Sequence, residues 1–514
     1  MNALDRLIAY VAPARAVRRA RARVTGQQLY RYAAGDPSRA HYGWGRQGAG
    51  SANAVNMRSL PLMRTRIREL VRDDPYARRI LDVLSTNTVG DGIVPRASTG
   101  REGRDRRLQR AWSDWAETTQ IDVTGTHDVY GLQTLAHRAW KESGEVFLRA
   151  IPYTNAEAER YGLAVPLQFQ VLEADYLAAH RDGQTERSTG NRIVQGVELN
   201  AWGKPVAYHF HTAHPGDAYT LGALPGYGLE TVRVPAEQVV HLFKPARPGE
   251  VRGVPEMHAV ALKIRALQDY HEALLFRAKI EACLAAFVTS SEDASRSPLG
   301  QEAQSVDGQR VEQFEPGMVS YLKPGEDVKF ADPSGSGAHN DYSRQALQAI
   351  AVGAGITYDQ LTGDLTAANY SSLRAGKIEV RRRTSQEQWQ VMVPRLCDPI
   401  WRLMVRTGEN AGLWGRGPAT VKWAPPRHEP VDPLKDAQAD LLQVRAGFKT
   451  LSQAIAEGGY DPADQLAEIQ QSNAKLDELE LVLESDPRRT SRSGVAQAPA
   501  QTDQEEANSN AGTD

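Results

Sequence analysis

The chain has 514 residues, of which 41% are hydrophobic and 24% charged, and its formal net charge is −2. This length predicts about two to four structural units, and the near-neutral charge argues against a protein that holds nucleic acid by bulk electrostatics. The two cysteines, Cys283 and Cys397, lie in apolar helical patterns. We expect both to be buried thiols in a reducing compartment rather than a disulfide pair.

Both ends of the chain lack a globular pattern. Residues 1–31 contain seven arginines and one acidic residue. We expect residues 1–58 to be a basic, mostly extended arm, either a solvated tail or a contact for nucleic acid or a partner. Residues 486–514 have a composition typical of a disordered tail.

No run approaches the roughly 18 apolar residues of a membrane helix, and no apolar signal core is present. We therefore expect no membrane partner and a protein that stays in the cytoplasm.

The first half of the chain alternates between helical and strand patterns. From Leu62 apolar residues recur every three or four positions, and Pro75 suits the first turn of a second helix. Two amphipathic helices follow, at 107–115 and 129–143. The period then changes to two, typical of strands, in the runs EVFLRAIPY, LQFQVLEADYL, RIVQGVELN, PVAYHFHTA and VVHLF. This pattern predicts a mixed α+β domain.

Pro255 begins the longest helical pattern of the chain, which continues to Val288 and would span roughly 50 Å as one helix. A polar stretch follows, and then two strand-like runs, MVSYL and DVKF, on either side of the turn KPGED. These features predict a long strut that leads to a small, partly extended module.

The remaining residues are mostly helical in pattern. A helix is predicted at 340–354, a loop at 355–372, and a second long helical stretch at 373–406 with interruptions near Pro394 and Pro399. Beyond a proline-rich linker, residues 434–485 predict two or three short helices.

No nucleotide-binding or catalytic motif stands in the context it needs. GWGRQG at 43–48 matches Gly-x-Gly-x-x-Gly but lacks the apolar strand and helix that would bring a phosphate to a helix N-terminus. YSSLRAGKIE has Gly376–Lys377 but neither the earlier glycine nor the following Ser or Thr of a Walker A loop. We therefore expect a protein that is not an enzyme and needs no cofactor.

Three histidines, His209, His211 and His214, lie close together in HFHTAH. Strand spacing places His209 and His211 on one face, which could suit a metal, but only Asp217 stands nearby to complete a ligand set. We expect exposed strand histidines and no metal.

Seven segments stand in a specific order over about residues 55–410. They are NTVGDGI at 87–93, WSDWAE and IDVTG within 112–125, KESGEVFLR at 141–149, QVLEADYL at 170–177, QGVELNAWGKPVAYHFHTAHPGD at 195–217, VRVPAEQVVHLFKPARPGEVRGVPEMHAVALKIRALQDY at 232–270, and GITYDQLTGDLTAANYSSLRAG at 355–376. In this order and spacing they resemble the lambda-type portal protein family of tailed bacteriophages.

The resemblance implies a portal-type α+β fold assembled as a cyclic ring, which in that family is a dodecamer. The regions it implies are a wing at 59–254, a stem helix at 255–288, a clip at 289–339, a second stem helix at 340–354, a tunnel loop at 355–372, a wing helix and linker at 373–433, and crown helices at 434–485.

The function implied by the resemblance is a DNA channel at one capsid vertex, used for packaging and later for ejection. The implied partners are other copies of the chain, double-stranded DNA, the large terminase subunit, the major capsid and scaffold proteins, and a head–tail adaptor. The protein would be in the host cytoplasm during assembly and then in the virion. A minor head protein without a channel is the alternative. Near-neutral charge suits a channel, because each phosphate contact would slow sliding.

Three groups of residues follow from this assignment. The tunnel loop is expected to present Tyr358, Asp359, Asp364, Asn369, Ser371 and Ser372 to the channel. The turn at Lys323, Pro324, Gly325 and Glu326 is expected to help dock the packaging motor. The clusters Arg104–Arg110 and Arg381–Arg383 are either solvated helix faces or inter-subunit ion pairs, or alternatively contacts for DNA phosphates in the channel or on the inner side of the ring. Arg381, Arg382 and Arg383 are the candidate phosphate contacts.

Overall fold

The computed structural model describes residues 50–217, 230–282, 286–290, 304–306, 309–311, 326–330, 338–366, 370–426, 432–458, 460, 462–481 and 483. The chain divides into two compact units, residues 1–426 and 427–514. Most of the expected N-terminal arm, much of the expected clip and the expected C-terminal tail lie outside the described residues. Among the described helices, none is long and apolar enough to cross a membrane.

The first described helix begins earlier than the sequence pattern indicated. Helix α1 spans Ala52–Asp73, so the last residues of the predicted extended arm are helical. Ser51 caps this helix, since its side chain accepts from the Ala54 backbone N–H, and Asn56 donates to Glu250 at 2.7 Å. These polar contacts explain why a stretch without apolar periodicity joins the folded body. Helix α2, Pro75–Thr88, follows directly.

The centre of the first unit is a three-stranded antiparallel sheet of order β3–β2–β8. Its strands are β2 Glu145–Pro152, β3 Leu167–Glu173 and β8 Val239–Phe243. The elements before it and between its first two strands are β1 Val94–Ala97, α3 Glu102–Trp115, α4 Val129–Ser143 and α5 Asn155–Tyr161. The predicted strand runs EVFLRAIPY, LQFQVLEADYL and VVHLF therefore form this sheet, with α4 packed on β2.

A second, four-stranded antiparallel sheet has the order β4–β5–β6–β7. Its strands are β4 Arg192–Val194, β5 Val197–Leu199, β6 Pro205–His211 and β7 Thr231–Pro235. Phe147 of β2 packs in one cluster with Tyr208 and Phe210 of β6, so the two sheets share a core. Strand β6 is buried along most of its length, on both faces. The alternating sequence had predicted a strand with only one buried face.

The predicted stem helix is shorter than its sequence pattern. A 3₁₀ turn, Glu256–Ala259, precedes helix α6, Ala261–Ala282, and the apolar run at its predicted end is strand β9, Ala286–Ser290. Strand β9 pairs antiparallel with β12, Glu326–Phe330. Residues 286–288 fit a helix or a strand equally well, and pairing with this distant segment decides the outcome. A second pair joins β10 Gln304–Val306 and β11 Gln309–Val311.

The predicted tunnel loop is partly helical. Helix α7, Ala338–Ala354, is followed by a short helix α8, Tyr358–Thr362, and helix α9 already begins at Tyr370 and ends at Glu387. The polar, glycine-containing sequence suggested a loop throughout, but Thr357 and Gln360 form a capping box that starts α8.

Helix α9 continues as a π-helix, Gln388–Cys397, and then as α10, Asp398–Asn410. The π-helix contains Pro394, and the Asp398 N–H bonds to the Val393 carbonyl five residues earlier. Wider turns accommodate a proline that has no N–H and would crowd an α-helix, so the predicted interruption takes this form. Strand β13, Val421–Ala424, then pairs with β1.

The second unit contains three helices within its described residues. They are α11 Pro433–Arg445, α12 Leu451–Glu457 and α13 Pro462–Glu478. Neither α11 nor α12 buries a residue. These helices occupy the region where two or three short helices were predicted.

Candidate functional site

The segment after α7 is an ordered turn and helix. Gly355 ends α7 with φ +74°, and Gly363 ends α8 with φ +72°, a region of backbone conformation that favours glycine. Ile356 and Leu361 are buried in the core formed with α1, α2, α6 and α7. The two buried side chains therefore hold the backbone of 356–366 in place against this core.

The structure places three of the predicted channel residues in this segment. Tyr358 donates to Asp364 at 3.4 Å, and the Arg344 guanidinium lies over the Tyr358 ring, 5.7 Å from its centroid. Asp364 also accepts from the hydroxyl and backbone N–H of Thr366, which hold the pKa of its carboxyl below the usual range. Asp359 lies half-buried in the first turn of α8. The Asp364 carboxylate is therefore part of a local hydrogen-bonded turn.

The other predicted site residues are placed less fully. Asn369, Lys323, Pro324 and Gly325 lie outside the described residues. Ser371 and Ser372 belong to the first turn of α9, and Glu326 begins β12, where it pairs with Ser290.

The three consecutive arginines of α9 do not share one environment. Arg382 is exposed and Arg381 is half-buried. The Arg383 guanidinium donates to Ala354 O at 3.0 Å and to Glu256 Oε1 at 2.7 Å. Arg383 therefore engages its own chain through two of its five N–H donors, and its expected role as a phosphate contact stays a prediction.

Behind Arg383 lies a second set of buried charges. Lys141 of α4 is fully buried, and its ammonium donates to Glu387 Oε1 at 2.8 Å and lies 3.4 Å from Glu256 Oε2. Burial alone would raise the pKa of Glu387, but Lys141 and His137 outweigh it and hold that pKa well below its usual range. Burial lowers the pKa of His137, which lies 3.1 Å from Ser85 Oγ. This junction of α4 and α9 with the 3₁₀ turn before α6 was missed, since isolated charges in separate segments give no sequence signal of their pairing.

A second buried carboxylate is Glu145 at the start of β2. Its oxygens accept hydrogen bonds from Arg64, from Arg252 at 2.6 Å and from His241 at 3.0 Å, and also from the Gly253 backbone N–H. Burial raises its pKa, but the two guanidinium groups reverse the direction and hold the pKa far below normal. The one signal in the sequence is a glutamate that begins an otherwise apolar strand, in SGEVFL.

The histidine cluster is not exposed as expected, because His209 is fully buried. Its Nε2 lies 3.6 Å from Glu198 Oε2 and 3.8 Å from Glu186 Oε2, a group of side chains close enough to hold an ion. However, Arg181 donates to His209 Nδ1 at 2.6 Å, so in neutral His209 the proton is on Nε2 and no lone pair faces the carboxylates. Arg233 also donates to Glu198 at 2.7 Å. This cluster is built as an internal ion network.

Comparison with known proteins identifies the class of this fold. Residues 38–388 match the family described as phage portal protein, lambda family, and the chain belongs to this family. It has a capsid portal role, and the alternative of a minor head protein is not supported. The predicted α+β fold class is confirmed by the mixed helix and sheet structure.

Several relatives are portal proteins of named phages. The chain is 28% identical over 457 residues to the probable portal protein of Halomonas phage phiHAP-1, covering 85% of this chain and 84% of that protein. It is 21% identical over 458 residues to portal protein B of Escherichia phage lambda, covering 77% of this chain and 80% of that protein. It is 22% identical over 308 residues to the portal protein of Escherichia phage N15, covering 52% of this chain and 56% of that protein.

Solved structures similar to the chain include necks of gene transfer agent particles. One is the neck of a native particle computed with C12 symmetry, with a TM-score of 0.44, 16% identity, and 77% of this chain and 94% of that chain covered. Another is the neck of an empty particle computed with C6 symmetry, with a TM-score of 0.47, 16% identity, and 77% and 93% covered.

Proposed function

We propose that this portal protein assembles as a closed ring, a dodecamer, which forms the DNA channel at one capsid vertex. DNA passes through it during packaging and again during ejection. The chain assembles in the host cytoplasm and remains in the virion. It hydrolyses no nucleotide, since its sequence has no complete phosphate-binding loop, and the large terminase subunit supplies the work.

The observation that carries this proposal is the uncovered apolar surface of α6 and α7. Leu275 and Phe276 of α6 are 57% and 67% exposed, and Val352 of α7 is 80% exposed. The two helices pack on each other, with the rings of Tyr270 and Tyr342 4.5 Å apart. Apolar side chains that remain exposed on such a pair are explained if neighbouring copies cover them through one repeated heterologous contact.

Light scattering on the purified full chain, without DNA or ATP, tests ring formation. We expect the mass of a dodecamer at micromolar concentration, and a purely monomeric protein would contradict the proposal. Phe276→Glu should lower the mass, because it places a charge in an apolar contact. Lys263→Glu, at an exposed polar position of the same helix, is the matched control and should leave the mass unchanged.

The channel-facing role is proposed for the segment 355–372, with its carboxylates keeping DNA centred by repulsion while neutral side chains permit sliding. The residues proposed to face DNA are Tyr358, Asp359, Asp364, Asn369, Ser371 and Ser372. Of the arginines, Arg381, Arg382 and Arg383 are the proposed phosphate contacts.

Motor docking is proposed for the clip, residues 289–339, with the turn at Lys323, Pro324, Gly325 and Glu326 as its presented surface. The same end of the ring would later bind the head–tail adaptor, while the wing contacts the major capsid and scaffold proteins. Deleting residues 291–310 should leave ring mass unchanged and abolish capture of the large terminase subunit. Retained capture would place the docking surface elsewhere.

A further inference from the structure

One arginine side chain joins three separate segments of the first unit. Arg383 belongs to α9, its Nη1 donates to the carbonyl of Ala354 at 3.0 Å, and its Nη2 donates to Glu256 Oε1 at 2.7 Å. Ala354 is the last residue of α7, and Glu256 begins the 3₁₀ turn that leads into α6. The guanidinium therefore ties α9 to the points at which both stem-type helices leave the wing.

Two glycines at the end of α7 allow other side chains to approach its backbone closely. A Cβ atom at Gly355 would overlap the guanidinium of Arg383, and a Cβ at Gly353 would overlap the side chain of Val260. Gly355 also has φ +74°, which a side chain would strain. The end of α7 therefore contacts the Arg383 guanidinium at Gly355 and the residue before α6, Val260, at Gly353.

The charges around Arg383 balance one another. Glu387, one turn later on α9, lies 3.6 Å from Arg383 Nε and accepts from Lys141 at 2.8 Å. Lys141 in turn lies 3.4 Å from the second oxygen of Glu256. Two cations thus alternate with two carboxylates across α4, the 3₁₀ turn and α9. The position of Arg383 at the carbonyl end of α7 also suits the helix dipole.

We propose that Arg383 and Gly355 form a clasp that fixes the orientation of segment 356–366 against the wing. This inference rests on the proposed channel role of that segment. The segment begins at Ile356, two residues after the end of α7 at Ala354, and α9 begins at Tyr370, four residues after Thr366. Arg383 therefore ties together the helices that precede and follow the segment in the sequence. Arg383 is a positioning residue for this segment.

The geometry requires arginine rather than a positive charge alone. The two acceptors, a backbone carbonyl and a carboxylate, receive separate guanidinium nitrogens held in one planar fork. A lysine ammonium has a single nitrogen and cannot occupy both donor positions. We therefore expect Arg383→Lys to loosen the segment nearly as much as Arg383→Gln, although it keeps the charge.

A double-mutant cycle read by amide hydrogen exchange tests the clasp. We expect R383Q and G355A each to speed exchange of the amides in 356–366 by about tenfold or more, the effect of losing one hydrogen bond to a charged group. In the G355A background R383Q should add nothing, because the new Cβ already displaces the guanidinium. Independent, multiplied effects would overturn the proposal. R383K serves in the same cycle if R383Q does not fold.

Two further measurements separate the clasp from general instability and from the proposed function. Amides of β2 should exchange at the unchanged rate in R383Q, and Arg402→Gln, which removes an exposed ion pair with Asp398 on α10, should change neither region. Unchanged exchange of 356–366 in R383Q would overturn the clasp even if rings form. A chain that forms no ring but shows the coupled exchange would retain the clasp and contradict the channel instead.

Discussion

Arg252 Nε lies 2.6 Å from Glu145 Oε1, and both side chains are withdrawn from solvent. Arg252 also donates to the carbonyls of Gln195 and Ala174, both at 3.0 Å. One side chain of the segment before α6 is therefore bonded to the central sheet at Glu145, to the turn before β5 and to the residue that follows β3. Removing the Arg252 side chain would leave the buried Glu145 carboxylate with one guanidinium partner fewer.

We predict that Arg252→Met destabilises the folded chain by about 3–5 kcal/mol, the cost of breaking a buried ion pair on one side. Urea unfolding followed by tryptophan fluorescence measures this. Arg72→Gln is the matched control, because Arg72 pairs with Asp73 on the surface, and its midpoint should not move. An equal shift in both variants would show that Arg252 contributes nothing beyond surface charge.

The tryptophans supply a second prediction. Trp112 is fully buried, with its ring centroid 5.4 Å from that of Trp401 and 6.2 Å from that of Trp423, whereas Trp202 is 94% exposed. Trp112→Ala should cost about 3–5 kcal/mol, because it leaves a cavity that the core cannot close. Trp202→Ala, measured by the same urea unfolding, should be neutral. A neutral Trp112→Ala would contradict the core assignment.

Local patterns predicted many elements but not their partners. The strands β2, β3, β6 and β8 alternate in sequence, so their existence was predictable. Their order, and the end of α6, depend on pairing with segments far along the chain, such as β9 with β12. His209 was wrongly expected to be exposed, because an alternating pattern does not reveal that β6 is covered on both faces.

The candidate site divides in the same way. The acids of segment 355–366 were singled out through the resemblance to portal proteins, and their role stays a prediction. The contacts of Arg383 could not be distinguished in the sequence from those of Arg381 and Arg382. Consecutive helical residues point about 100° apart, so only the placement of α9 against Ala354 selects Arg383. Glu387 and Lys141 were missed because they are 246 positions apart in sequence.

Buried histidines predict that stability falls on acidification. Burial lowers the pKa of His241 and of His137. The unfolded chain protonates these rings near pH 6.5, while the folded chain resists protonation until a lower pH, so the unfolded state gains protons first. The free energy of unfolding should therefore decrease below about pH 6.5, by up to about 1.4 kcal/mol per pH unit for each ring.

Urea unfolding at pH 7.5, 6.5 and 5.5 measures this slope. His241 faces Glu145 and the hydroxyl of Tyr208 directly, with the charges of Arg252 and Arg395 nearby. His241→Gln keeps a donor towards Glu145 but removes the titrating group, so its slope should be shallower than that of the wild type. Parallel slopes would show that His241 does not titrate in this range. The depressed pKa of Glu145 contributes at more acidic pH, below its ordinary value near 4.3.

The last prediction concerns the acids of the proposed channel segment. Asp359 lies in the first turn of α8 without a capping role, whereas Asp364 accepts from Thr366 and Tyr358 and so shapes the turn. Asp359→Lys should leave ring mass normal but slow DNA packaging at low salt, because a lysine facing phosphate replaces repulsion with attachment. Asp364→Asn removes the charge and keeps one acceptor oxygen for the two hydrogen bonds from Thr366, so its packaging defect should be smaller.

Salt separates the electrostatic effect from a structural one. The Debye length shortens from about 30 Å at 0.01 M to about 10 Å at 0.1 M salt, so added salt should relieve the Asp359→Lys defect while a misfolded segment would gain nothing. Packaging rates should be measured in vitro with empty capsids that carry the wild-type or variant ring, together with motor and ATP, at both salt concentrations. Asp341→Lys, a charge reversal at an exposed position of α7, is the matched control. If Asp359→Lys packages at the wild-type rate at low salt, Asp359 does not face the DNA.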